Sequence, residues 1–545
     1  MEKYEKWLAA TEGDEQLHGE LSEIAGIPEE INDRFYCDLK FGTGGLRGKL
    51  DAGTNRMNVF VVARATRGLA RYIRKNIGEG GSCAIAYDSR NKSKEFAFLA
   101  ADVLSEYGVT TYVFDRIMPT PVPSFAVRHL QCSAGIVITA SHNPKEYNGY
   151  KVYNEKGCQI TDEAAKQILG EIEACGYFDE IHANKALIHV LGDEVTNAFY
   201  DAIATYVSLG KECTVTPKIV YTPLNGTGNI PVRHMLSRIG IRNVIVVPEQ
   251  EQPDGNFPTC PYPNPEERAA LDLAVKLAEK ENADLVLATD PDADRVGVAV
   301  KTATGEYRLL NGNETGVLLE DYLLSKRKRE GSLPLKGVVV KTVVTSDMCE
   351  DVAKSFGVAV KEVLTGFKYI GETIDRLTDG EEYLFGMEES YGYLIGTHAR
   401  DKDAVSAAAI AEMTSYHLSG GKTLVDRLDE LYEKYGYYKT ALRSVGLPGE
   451  KGKAEMDGII SALRKTPPQT LCGRVVTTKD YLTGICGLPK SNVLSFTGED
   501  IKVTIRPSGT EPKLKLYYQV KGKDEASAER LLSEVRAQAE SLFCL

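Results

Sequence analysis

The 11 cysteines of this 545-residue chain include no pair at Cys-x-x-Cys spacing. They do not suggest a zinc site and are too scattered for a compact disulfide framework, so a reducing cytoplasm is the expected compartment. No apolar run approaches the ~18 residues of a membrane span. The opening Met1-Glu2-Lys3-Tyr4-Glu5-Lys6 is charged and lacks a signal-peptide core. None of the eight histidines sits in an H-E-x-x-H pattern. Excess positive charge is missing too: the net charge of −12 argues against general nucleic-acid or anionic-membrane binding. Two nucleotide loops fail at single positions. In Gly42-Thr43-Gly44-Gly45-Leu46-Arg47-Gly48 the third glycine of G-x-G-x-x-G falls on Arg47. Gly421-Lys422-Thr423 ends like a P-loop, but the upstream glycine position holds Tyr416. Dehydrogenase and kinase readings lose support on both counts.

What the chain does have begins at residues 136–144, Ile-Val-Ile-Thr-Ala-Ser-His-Asn-Pro. The β-branched run reads as a buried strand, and Asn143-Pro144 reads as a turn. Ser141 therefore falls just past a strand end, where catalytic groups of α/β proteins lie, although an ordinary strand-to-loop turn has the same look. A second segment, Asp290-Pro291-Asp292-Ala293-Asp294-Arg295, follows the apolar run Leu285-Val286-Leu287-Ala288. Three carboxylates at alternate positions can converge on one hard cation. An EF-hand is excluded, because its sixth and twelfth positions would be Arg295 and Lys301 instead of Gly and Glu. A solvated acidic turn is the plain alternative. Arginine directly after the aspartates points instead to a metal beside a bound anion.

Gly386-Met387-Glu388-Glu389-Ser390 follows Tyr383-Leu384-Phe385. Its acids and hydroxyl suit vicinal sugar hydroxyls, but an exposed acidic turn fits this lone motif as well. Arg506-Pro507-Ser508-Gly509-Thr510-Glu511-Pro512-Lys513 lies between the alternating runs Ile501 to Ile505 and Leu514 to Val520. A guanidinium, two hydroxyls and backbone N–H groups around a glycine form the donor set of a phosphate nest; a plain hairpin has no use for the arginine.

Together these four segments resemble the α-D-phosphohexomutase superfamily, specifically its phosphoglucomutase branch, in family order and over essentially the whole chain. Gly44-Gly45-Leu46-Arg47-Gly48 is similar to the family's N-terminal arginine loop, and Asn148-Gly149-Tyr150-Lys151 to the segment carrying its general base. Thr365-Gly366-Phe367-Lys368 and Arg400-Asp401-Lys402-Asp403 resemble two lysine-bearing substrate loops. The resemblance implies a phosphoserine at Ser141 and Mg²⁺ held by Asp290, Asp292 and Asp294 and bridged to Ser141. Arg47 and Arg295 then stabilise charge, and His142 orients the serine loop or is only a local hydrogen-bonder. Lys151 is the implied base, with a pKa depressed by neighbouring cations, and Lys402 is the runner-up. Glu388, Ser390 and Lys368 would hold the sugar, and Arg506, Ser508, Gly509 and Thr510 the distal phosphate.

The implied reaction interconverts glucose 1-phosphate and glucose 6-phosphate through glucose 1,6-bisphosphate. Phosphomannomutase, phosphopentomutase and glucose-1,6-bisphosphate synthase relatives share most of these loops. A non-catalytic phosphosugar-binding protein and a Mg²⁺-dependent phosphatase are the readings from other classes. The expected partners are small phosphosugars, with no nucleic acid and no membrane, for a monomer or homodimer.

At about 150 residues per domain the length suggests three or four domains. Strand-like runs alternate with helical patterns, as in layered α/β proteins. Helices are expected over Lys94 to Tyr107, Asn264 to Glu281 and Asp524 to Leu542, the last with Asp524 as N-cap. A strand is expected over Thr110 to Phe114. The implied architecture is three related mixed-sheet α/β domains plus a C-terminal α+β domain around a central cleft. The expected limits are 1–209 (phosphoserine), 210–312 (metal), 313–435 (sugar) and 436–545 (phosphate).

Overall fold

The β-branched run before Ser141 forms the strand Ala134–Ile138 in the computed structural model, which describes residues 1–42, 44–447, 449–507 and 513–543. Ile136, Val137 and Ile138 are fully buried. A strand apolar on both faces belongs inside a sheet covered on both sides. It pairs parallel with Ser82–Tyr87 and antiparallel with Tyr147–Asn154. The six-stranded sheet runs Leu46–Lys49, Tyr147–Asn154, Ala134–Ile138, Ser82–Tyr87, Thr110–Phe114, Ile188–Leu191. The apolar run before the aspartates repeats the pattern. Leu285–Thr289 pairs parallel with Ile219–Thr222 and antiparallel with Val296–Lys301, in a five-stranded sheet closed by Val244–Val246 and Tyr307–Leu310. Both functional loops thus leave the carboxyl end of a buried strand and return as its antiparallel neighbour.

The chain divides into two compact units. The first, residues 1–310, 370–377 and 391–421, holds both of these sheets. The second comprises 311–369, 378–390 and 422–545. In it Gly337–Thr342 pairs parallel with both Ala359–Val363 and Glu382–Glu388. An antiparallel sheet of Tyr437–Gly446, Lys513–Gly522, Ile501–Pro507, Leu494–Thr497 and Thr477–Asp480 packs under the helix Glu525–Leu542. The architecture is therefore α/β with an α+β C-terminal part, as expected.

Asp524 caps the last helix, its carboxylate accepting from the Ser527 N–H. The strand Thr110–Phe114 and the helix Ser93–Glu106 lie within a residue of their expected limits. The helix expected from Asn264 starts at Arg268. Asn264 Oδ1 instead accepts from the Glu266 N–H at 3.2 Å, a local turn bond that competes with a first helical turn. Among the described residues no helix is long and apolar enough to cross a membrane.

Candidate active site

Ser141 lies in the left-handed region, with φ of +53°, and is 3% exposed. An L-residue holds that conformation only where its surroundings over-determine it. Here the Ser141 N–H donates to Thr139 Oγ1 at 2.8 Å, and Arg90 donates to the Ser141 and Asn143 carbonyls. The hydroxyl then donates to Asp290 Oδ2 at 2.9 Å and lies 3.3 Å from His142 Nδ1. Burial and the Arg295 and Arg47 guanidiniums hold His142 well below the usual histidine range, so it is neutral near pH 7. Arg47 donates to Asn143 Oδ1 at 3.2 Å. Its strand reaches the site because Gly45, at φ +79°, passes where a Cβ would meet the Tyr150 carbonyl oxygen at 1.8 Å.

The aspartate loop closes on itself. Asp290 Oδ1 accepts from the N–H groups of Asp294 (3.1 Å) and Arg295 (3.0 Å), with Ala293 left-handed between them. One carboxylate oxygen from each of Asp290, Asp292 and Asp294 lies within 4.8 Å of the others, and all three residues are buried. Asp292 Oδ1 and Asp294 Oδ1 are buried with no hydrogen-bond partner among the described residues. Buried anionic oxygens without donors are the arrangement a hard cation satisfies, so the residues present fit a divalent metal. Burial and the neighbouring Asp292 and Asp294 push Asp290 well above the usual carboxylate range. Burial works the same way on Asp292, but the Lys151 ammonium outweighs it and holds Asp292 far below.

Lys151, on the strand beside Ala134–Ile138, reaches Asp292 Oδ2 at 2.8 Å and Asp294 Oδ2 at 3.3 Å. Lys402 Nζ is 3.2 Å from Asp294 Oδ2. The expected depression of Lys151 is corrected here. Burial does work against its charge, but its near neighbours are carboxylates, and Asp292, Asp294 and Asp401 hold it well above the ordinary lysine value. Arg295 is not free to meet a substrate unaided, because its guanidinium pairs with Glu266.

The structure thus brings Ser141, His142, Arg47, Lys151, Arg295, Lys402 and the three aspartates together in the first unit. The other candidates belong to the second unit. Glu388 Oε1 accepts from the Gly366 N–H at 2.8 Å, and Lys368 Nζ lies over the Tyr369 ring at 4.7 Å from its centroid. Ser390 is half-buried. Arg506 Nε donates to the Tyr517 hydroxyl at 3.3 Å. Burial opposes its charge, but Tyr517, Glu389 and Glu388 outweigh this and raise its pKa. Ser508, Gly509 and Thr510 lie outside the described residues.

Three participants escape a reading by motif. Thr120 Oγ1 donates to Asp292 Oδ2 at 2.9 Å, and its N–H to the Asp292 carbonyl at 2.8 Å. Asp401 collects the Tyr153 hydroxyl (2.7 Å) and Gln159 Nε2 (2.8 Å) on the loop that carries Lys402. Arg90 grips the serine loop. Asp401 lies within the Arg400-Asp401-Lys402-Asp403 motif without a role read for it, and Arg90 leaves a signal as the last residue of Asp88-Ser89-Arg90 directly after the apolar strand Ser82–Tyr87.

Four family models match the chain in order. They describe phosphoglucomutase/phosphomannomutase α/β/α domain I (residues 38–176), domain II (197–305), domain III (311–435) and the C-terminal domain (447–538). The phosphoglucomutase of Staphylococcus saprophyticus is 38% identical over 515 residues, spanning 90% of this chain and 92% of that protein. That of Staphylococcus haemolyticus is 37% identical over 500 residues, spanning 89% and 90%. Among solved structures, a phosphoglucomutase/phosphomannomutase family protein from Burkholderia thailandensis superposes with a TM-score of 0.69 at 18% identity, covering 92% of this chain and 97% of its own. Parafusin from Paramecium, in its open form, gives 0.70 at 17%, covering 93% and 95%. These two likenesses concern the fold.

Proposed function

Because the chain belongs to the phosphoglucomutase/phosphomannomutase family, we propose that it interconverts glucose 1-phosphate and glucose 6-phosphate through phosphorylated Ser141 and glucose 1,6-bisphosphate. The observation that carries this reading is the Ser141 hydroxyl, held in a left-handed turn 2.9 Å from Asp290 beside a buried carboxylate triad. A serine hydroxyl is a weak nucleophile, but as a phosphoserine it is a phosphoryl donor. Asp290, Asp292 and Asp294 would hold Mg²⁺. Bound there, it would supply charge for the transferring phosphoryl oxygens, and by sharing the carboxylates that hold Lys151 protonated it would make neutral Lys151 more accessible.

A substrate hydroxyl oxygen attacks the phosphorus, and the bond from phosphorus to Ser141 Oγ breaks. The hydroxyl proton would pass to Lys151 in its neutral form, or to Lys402 as the alternative base, and the leaving Ser141 Oγ takes up a proton to become the free hydroxyl. Arg47 and Arg295 face the charge on the phosphoryl oxygens, since phosphoryl transfer depends mostly on positioning and charge neutralisation. His142, neutral, holds the Ser141 side chain in place. On the second unit, Glu388 and Ser390 hold sugar hydroxyls, Lys368 a substrate oxygen, and Arg506 with Ser508, Gly509 and Thr510 the distal phosphate. The Glu-Glu-Ser turn favours glucose over mannose. We assign the domain limits 1–209, 210–312, 313–435 and 436–545. Buried free thiols such as Cys83 and Cys132 support a reducing cytoplasm as the working compartment.

The test uses enzyme stripped of phosphate by a phosphatase. Added glucose 1,6-bisphosphate should restore mutase activity and add the mass of one phosphate to the intact protein, and Ser141→Ala should show neither effect while staying folded. Turnover by Ser141→Ala, or phosphate release in place of isomerisation, would overturn the assignment.

A further inference from the structure

The Arg90 side chain is fully buried, yet it is spent almost entirely on one loop. Its Nη1 donates to the carbonyls of Pro144 (2.9 Å) and Tyr147 (3.1 Å), and its Nη2 to those of Ser141 and Asn143. The guanidinium therefore spans the serine loop from the nucleophile to the start of the returning strand. It is itself fixed from two directions. Asp88 Oδ2 faces its Nε at 3.4 Å, and the Phe257 ring lies with its centroid 5.0 Å from the guanidinium carbon. Asp88 is anchored in turn, its N–H on the Ile138 carbonyl and its Oδ1 receiving the Arg90 N–H and the Ser93 hydroxyl.

We propose that Arg90 is the positioning residue of the nucleophile, its forked guanidinium holding Ser141 in the left-handed turn that aims Oγ at Asp290. This rests on Ser141 as the phosphoryl carrier. A residue that only braced the core would bond to sheet or helix. Three of the four acceptors of Arg90, the Ser141, Asn143 and Pro144 carbonyls, belong to the turn that holds Ser141 in a conformation an L-residue otherwise avoids, and the fourth, of Tyr147, opens the returning strand. Planarity matters as well, since a guanidinium carries five donors in a fixed fork. An ammonium has three without one, so lysine cannot serve the same four acceptors in the same plane.

Arg90→Lys keeps the charge and loses the fork. A misplacement of about 1 Å costs on the order of a hundredfold in rate, so kcat should fall by roughly ten- to a hundredfold with KM for the sugar phosphate within about threefold. Phosphorylation of Ser141 by glucose 1,6-bisphosphate, followed by intact mass, should slow by the same factor. Arg56→Lys is the control, because Arg56 is also buried but bonds to Asp33 and the Asn55 carbonyl; its kcat should stay within about twofold of wild type. Phe257→Leu removes the aromatic face and should lower kcat by about two- to fivefold at unchanged KM. The proposal is overturned if folded Arg90→Lys keeps kcat within twofold, or if Arg56→Lys loses as much. Should Arg90→Lys not fold, Phe257→Leu decides: a kcat fall at constant KM supports the role, and an unchanged kcat overturns it. Turnover by Ser141→Ala would instead defeat the phosphoserine reading itself, so the two failures are distinguishable.

Discussion

Asp290, Asp292 and Asp294 in the first unit, and Asp347, Glu350 and Glu362 in the second, each bring three carboxylates within 4.8 Å of one another. In the second cluster the fully buried Lys341 side chain puts its ammonium beside Asp347, 2.9 Å from Glu350 and 3.3 Å from Glu362. Lys502 lies 3.0 Å from Asp347 and 3.5 Å from Glu362, and Gln519 Nε2 donates to Asp347 Oδ2 at 2.7 Å. Protein cations fill that cluster. In the first, Lys151 and Lys402 take the Oδ2 atoms, while Oδ1 of both Asp292 and Asp294 stays buried without a hydrogen bond among the described residues, Arg295 Nε coming no nearer than 3.9 Å to Asp294 Oδ1. Negative charge is common to both. Unmet oxygens are what fit one of them, and not the other, to a metal.

The largest effect that would break this comparison is at Asp292. Asp292→Asn keeps the shape and removes one candidate anionic ligand and the nearer of the two aspartate partners of Lys151. In a coupled mutase assay kcat should drop by roughly a thousandfold, and the Mg²⁺ dependence should move to much higher concentration. EDTA should likewise abolish wild-type activity. Full turnover in EDTA would erase the distinction between the clusters.

Lys341→Met should come next, acting on stability and not through a catalytic metal. It leaves three partly exposed carboxylates with Lys502 as their remaining cation, so the loss in urea denaturation should stay below the ~3–5 kcal/mol of a fully buried broken pair. The comparison is sharpened by adding Mg²⁺ at millimolar level. It should raise the Tm of Lys341→Met, because a cation then replaces the ammonium, by more than it raises that of wild type. Equal shifts would mean that the two clusters differ in more than their resident cation.

A smaller effect follows from Asp347. Burial works to raise its pKa, but Lys341 and Lys502 outweigh this and hold it well below the usual carboxylate range. A carboxyl with a depressed folded pKa adds stability that is complete above its unfolded value near ~4 and is lost as pH falls through the folded one. The stability gap between wild type and Lys341→Met should therefore narrow as urea midpoints are measured from about pH 5 downward. A gap that widens in acid would contradict the pairing. The smallest change is expected from Glu350→Gln, whose carboxylate side chain is 52% exposed. Solvent screening limits its loss to under about 1 kcal/mol, with kcat unaltered.

The same contrast shows what could be read before folding was considered. Three aspartates at alternate positions in one loop announce themselves, because the loop alone brings them together. Lys341, the helix start that carries Asp347 and Glu350, Glu362 and Lys502 come from four separate segments, and no local spacing announces the cluster. The serine and aspartate strands were legible because both are β-branched or aliphatic throughout and are buried on both faces. The start of the helix at Arg268 was not, since Asn264 and Pro265 suit a turn or a helix entry equally, and the tertiary partner of Glu266, Arg295, lies in another segment. The electrostatics of Lys151 were misread for a similar reason. Motif spacing does not announce that the fold places the Asp292 and Asp294 carboxylates directly against it.

By itself, then, the sequence determined the alternating α/β layers and the placing of Ser141 and of three closely spaced aspartates in loops that follow buried strands. Each of these rests on neighbours within a few residues, whose geometry the backbone imposes locally. Tertiary structure alone decided the left-handed setting of Ser141, the grip of Arg90 on its loop, the charge on Lys151 and which acidic cluster has oxygens left for a metal. Those outcomes depend on distances between groups tens to hundreds of residues apart, and in a low-dielectric interior such distances decide both protonation and hydrogen-bond satisfaction.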